Sequence, residues 1–252
     1  MVPEKAWLRA RARLTPGAWT PRTALQGRKA APWVRGVLDG GWAPMVALEE
    51  RISPLPPWVW EFLLGQAGGF VAIIAGDCRS IPTTEGTVVP WLTRQGRQSG
   101  PKGGRARDCR SIPSGAREGS SYQPGPATLR GQAVENVAFV SVQDLSLNNE
   151  RPLHVIGHLI DHHLGCGGDA QGPWLSEGGG GIPLWQEAGA RLGSLFALGY
   201  GIDEVARSNV RDYLAQSLAL YCRDRQRLSV ADPQVTKWLR STLWNDAFWR
   251  AG

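Results

Sequence analysis

Residues 148–165, Asn-Asn-Glu-Arg-Pro-Leu-His-Val-Ile-Gly-His-Leu-Ile-Asp-His-His-Leu-Gly, constrain the fold of this 252-residue chain more than any other stretch. Leu153, Ile156, Ile160 and Leu164 recur at steps of three, four and four, the spacing of one apolar helix face. Asn148-Asn149 offers an N-cap, Pro152 suits the first turn, and Gly165 offers a stop. The chain's four histidines, His154, His158, His162 and His163, all fall in this segment. His154 and His158 are one helical turn apart, with Asp161 and His162 continuing the same face, so a helix presents them together opposite its apolar side.

Imidazole nitrogen is the commonest neutral donor to transition metals. The pair can therefore share one ion; the plainer alternative is a pair of polar-face histidines at a cleft. His162 is too far to join His154: eight residues at about 1.5 Å rise separate them by roughly 12 Å, against metal–nitrogen bonds near 2 Å. A third protein ligand must come from elsewhere in the chain. His162 and His163 are expected at the surface near the helix end, where a cation suits the dipole. Cys166, just beyond, is expected as a free buried thiol.

The rest of the sequence sets the surroundings. Residues 1–42 read as a basic, irregular arm; within residues 1–40, eight Lys or Arg face two acids. Residues 94–117 hold seven against one, so the net charge of +6 is concentrated outside a mildly acidic body. No recognised binding module accompanies that charge, which makes nucleic acid an unfavoured partner. Residues 83–133, rich in Gly, Arg, Ser and Pro, are expected to be a flexible insertion in a domain spanning 43–252. Asp77-Cys78-Arg79-Ser80-Ile81-Pro82 recurs as Asp108-Cys109-Arg110-Ser111-Ile112-Pro113, read as a tandem duplication lengthening a loop.

Short helices are expected at 43–52 and 57–66, strands at 68–75 and 136–142, and helices at about 183–199, 209–224 and 233–248. No apolar run reaches the length of a membrane span, and the opening residues lack the apolar core of a signal peptide. A cytoplasmic setting is the expectation, with non-classical secretion as the alternative. The four cysteines form no C-x-x-C pair, so neither a disulfide framework nor a zinc ribbon is indicated.

The helix with His154, Gly157, His158 and Asp161, followed by Asn209-Val210-Arg211-Asp212-Tyr213-Leu214-Ala215-Gln216, resembles the lethal-factor-like metallopeptidases, the zincin-type catalytic domain of the anthrax toxin and its bacterial relatives. The likeness covers about residues 45–245 and is carried by these two helices. It implies an α/β (α+β) fold: a zincin-like domain with a small twisted sheet, an active-site helix and a helical C-terminal subdomain. It implies one Zn2+ held by His154, His158 and Asp212, with Asp161 holding a ring N–H behind a ligand, and a peptide or protein as substrate or ligand. Taken without the family, Asp212 is equally well a capping-box acid of the Asn209 helix.

Departures from the family pattern fall at the chemistry. Val155 stands where the family has its general base, and Gln216 where it has a second acid. Asp212 replaces a Glu, shorter by one methylene, so its helix must approach more closely. Val205 stands at the position of the oxyanion-stabilising tyrosine, leaving Tyr200 or Tyr213 to act by a different geometry. Glu177 and Glu187 are the candidates for a substitute base. Three functions follow: a zinc metallopeptidase using metal-activated water; a pseudopeptidase that binds metal or peptide without turnover; or a scaffold whose basic arm binds anionic polymers.

Overall fold

A computed structural model describes residues 43–65, 70–74, 119–129, 132–147 and 149–251. The arm, both copies of the repeated hexapeptide with Cys78 and Cys109, and residues 83–118 lie outside these. The element order is α1 (Ala43–Ile52), α2 (Pro57–Gly65), β1 (Phe70–Ile74), β2 (Ser121–Leu129), β3 (Gln132–Ser141), α3 (Val142–Ser146), α4 (Arg151–Cys166), a 3-10 turn (Leu175–Glu177), α5 (Pro183–Ala197), α6 (Glu204–Ser208), α7 (Val210–Arg223), α8 (Arg225–Ala231), α9 (Pro233–Ser241) and α10 (Asp246–Arg250). The architecture is α+β and mostly helical.

The sheet has the order β1-β3-β2. β1 runs parallel to β3, with Phe70 opposite Val137 and Ile74 opposite Ser141. β2 and β3 are antiparallel, from Ser121 opposite Phe139 to Leu129 opposite Gln132, with an irregularity between Gln123 and Pro126. The expected insertion at 83–133 is corrected over its last part alone, because β2 and the start of β3 lie within it. Pro124 and Pro126 donate no backbone hydrogen bond, which reads as loop in sequence, yet an edge strand with a bulge tolerates both. Asn136, at φ 57, binds across this bulge: its Oδ1 accepts from Gly125 N at 2.7 Å and its Nδ2 donates to Gly168 O at 2.9 Å.

Helix α4 contacts both the sheet and α7, and its apolar face enters the core. Leu153, Ile156, Ile160 and Leu164 are all buried there. Fully burying side chains of this size is worth roughly 1.5–3 kcal/mol each. The helix ends two residues further on than Gly165 suggests, at the C-cap Gly167 with φ 66. Gly165 serves packing instead. A Cβ there would sit 2.2 Å from Leu175 N, so its bare backbone lets the Trp174–Leu175 turn press against α4.

Five successive helices, α6 to α10, open on an Asp or Asn whose side chain accepts from the first turn: Asp203, Asn209, Asp224, Asp232 and Asn245. Each such cap contributes about 1 kcal/mol, and the Asn209 cap sets where α7 begins. Among the described residues, no helix is long and apolar enough to cross a membrane.

Candidate metal centre

The sequence puts His154 and His158 on α4 and Asp212 on α7, and the crossing of the two helices brings them together. Gly157 makes that crossing close, since a Cβ on it would lie 2.8 Å from Ala215 Cα. His154 Nε2 and His158 Nε2 are 3.0 Å apart, and Asp212 Oδ1 is 3.2 Å from each. These three residues form a group able to hold a metal ion. Tetrahedral bonds of about 2.0–2.1 Å place neighbouring donors roughly 3.3 Å apart, so the triangle has the size of one face of such a site.

The two oxygens of Asp212 have different surroundings, so capping by this residue leaves one oxygen facing the histidines. Oδ2 accepts from Ser208 Oγ at 2.9 Å and from Asn209 Nδ2, while Asp212 N donates to Asn209 Oδ1 at 2.9 Å. The capping interaction therefore holds the carboxylate in place. Oδ1 is left buried beside the imidazoles without a well-formed hydrogen bond. Burial raises the Asp212 carboxyl, but the two histidines outweigh it and hold it well below the usual carboxylate range. Burial, foremost, brings His158 down to about 4, so its imidazole is neutral near pH 7, the form a metal requires.

Both histidines open on a cavity of about 440 Å³. Val155, Val205, Tyr122 and Trp174 are among its apolar lining, and Ser120, Ser121, Glu150 and Asn209 among its polar lining. The Tyr122 ring stacks on His158 with centroids 6.2 Å apart, and Trp174 meets His158 edge-on at 5.7 Å. Arg211 lies over Trp174 at 4.1 Å and pairs with Glu177, which anchors that wall.

Several expected roles are corrected. Asp161 holds no ring N–H: its Oδ1 accepts from Ser176 N at 2.7 Å and its Oδ2 from Ser176 Oγ at 2.6 Å, so it ties the Trp174–Glu177 turn to α4. Glu177 is bound by Arg211 and Glu187 is exposed on α5; neither lines the cavity. Tyr200 does not line it either, and Tyr213 is wholly buried, with its hydroxyl donating to Asp232 Oδ2 at 2.6 Å. His162 and His163, expected at the surface, are 0% and 2% exposed, with Trp174 packed against the His162 ring at 4.9 Å. Cys166, expected to be buried, is partly exposed, with its thiol donating to His162 O and Asp169 O.

Val155 and Val205 both line the cavity and add to its apolar surface. Sequence reasoning missed Tyr122, Trp174 and Glu150. Tyr122 lay in a stretch taken for an insertion, and nothing in the local pattern of the other two marks a site. Comparison of the chain with protein-family models, with curated proteins and with solved structures finds no match.

Proposed function

We propose that this domain binds one Zn2+ through His154, His158 and Asp212 in a lethal-factor-like, zincin-type arrangement, and that it binds peptide as a pseudopeptidase with little or no turnover. The observation that carries the reading is the triangle of donor atoms, 3.0–3.2 Å on a side, formed by the two Nε2 atoms and an Asp212 Oδ1 that lacks a well-formed hydrogen bond. Two imidazoles and one carboxylate suit zinc and leave a fourth position open. When bound, zinc supplies Lewis-acid polarisation of a carbonyl and lowers the pKa of a coordinated water toward about 7.

The chain's own residues supply binding rather than proton transfer. Among the described residues, β2 pairs only with β3, and its start at Ser121, Tyr122 and Pro124 borders the cavity, so an extended peptide has a sheet edge to lie along. Tyr122 and Trp174 hold His158 from two sides and narrow the access of water. The acids lining the cavity are Asp212, engaged as a ligand, and Glu150, whose Oε2 accepts from Gln216. With Val155 at the base position, the usual 100- to 10,000-fold contribution of a general base is missing.

The test pairs metal content with cleavage of a peptide library. Stoichiometric zinc with no chelator-sensitive cleavage supports the reading, and Val155→Glu should then create cleavage. Cleavage by the native protein that is lost on chelation and in His154→Ala would instead make it an active peptidase.

A further inference from the structure

Gln216 occupies the place of a family acid, and its surroundings dictate why an amide stands there. Its Nε2 lies 3.1 Å from Glu150 Oε2 and 3.0 Å from Asp203 Oδ2, while its Oε1 lies 3.0 Å from His154 Nδ1. Carboxylates only accept hydrogen bonds, so the NH2 end of the amide must face the two acids. The carbonyl end must then face His154, and an amide oxygen only accepts. His154 Nδ1 must therefore carry the proton, and its Nε2 presents a lone pair toward His158 and Asp212. A glutamate at 216 would bring a third carboxylate against Glu150 and Asp203 with no donor between them.

Both acids are themselves fixed by the fold. Asp203 is the N-cap of α6, with its Oδ1 accepting from Ala206 N at 2.8 Å. Glu150 occupies the N-cap position of α4, one turn before His154, with Arg223 3.8 Å from its Oε1. Helix N-termini favour negative charge, so the two acids have reason to stay where the amide needs them.

We infer that Gln216 is a positioning residue that, oriented by Glu150 and Asp203, locks His154 in the tautomer whose Nε2 lone pair faces the metal site. The inference rests on the zinc reading for its consequence, but the tautomer itself exists without metal. Partners that fix a ligand imidazole in this way are worth about 10- to 100-fold in metal affinity.

The experiment records imidazole 15N spectra of the metal-free protein and zinc titrations of the same samples. Native His154 is expected as the Nδ1–H tautomer. Gln216→Met, which keeps the length but removes every hydrogen bond, should mix the tautomers and weaken zinc binding about 10- to 100-fold while circular dichroism is unchanged. Glu150→Gln with Asp203→Asn keeps Gln216 but no longer dictates its orientation, and should also mix the tautomers; this variant decides the matter if Gln216→Met fails to fold. A native Nε2–H tautomer overturns the inference, as does an unchanged tautomer in the variants. If the native protein takes up no zinc yet shows the Nδ1–H tautomer, the zinc reading fails and the positioning role stands.

Discussion

Burial governs the side chains around α4, and its effects can be measured one residue at a time. His163 is 2% exposed, neither ring nitrogen has a hydrogen-bond partner, and burial, with His162 adding to it, lowers its pKa to about 4. The unfolded value is near 6.5, so the folded state resists the proton more than the unfolded chain does. The stability from keeping this ring neutral is complete above about pH 6.5 and lost as pH falls toward 4, to a total of about 3 kcal/mol. Urea denaturation across that window should show the decline, and His163→Leu should flatten its slope. Asp161 makes a second test. Asp161→Asn should cost about 1–3 kcal/mol through the weakened Ser176 contacts, yet leave zinc affinity within about threefold, whereas a residue orienting a ligand imidazole would cost at least tenfold.

At the scale of elements, the crossing of α4 and α7 makes the site. Gly157→Ala places a methyl group against the Ala215 backbone, where a side chain cannot yield. Overpacking of this kind costs about 1–3 kcal/mol, and separating the helices should weaken zinc binding more than Asp161→Asn does; denaturation curves and metal titration test both. Both helices were legible in the sequence because their signals are local: apolar spacing in α4, and an Asn cap with an acid three residues on in α7. That Asp212 both caps and faces the histidines was not legible, because the choice depends on where a distant helix crosses. β2 was missed because Pro124, Gly125 and Pro126 break the alternating pattern that marks strands. Gly165 was misread as a stop because close packing by a distant turn leaves no local trace.

For the whole molecule, a metal that binds only the folded state links ligands from two distant segments and must stabilise the fold by mass action. At 100 times the dissociation constant the gain is about 2.7 kcal/mol, equivalent to roughly 5–10 °C in Tm for a domain of this size. Melting curves with zinc and with chelator should differ by that amount in the native protein and coincide in His154→Ala.

The most direct measurement is zinc content per chain after reconstitution and desalting, for the native protein and for His158→Ala. About one zinc per chain in the native protein and almost none in the variant is the result expected of a site built on two imidazoles and Asp212. A native protein that retains no zinc, or a variant that retains as much as the native, would contradict it.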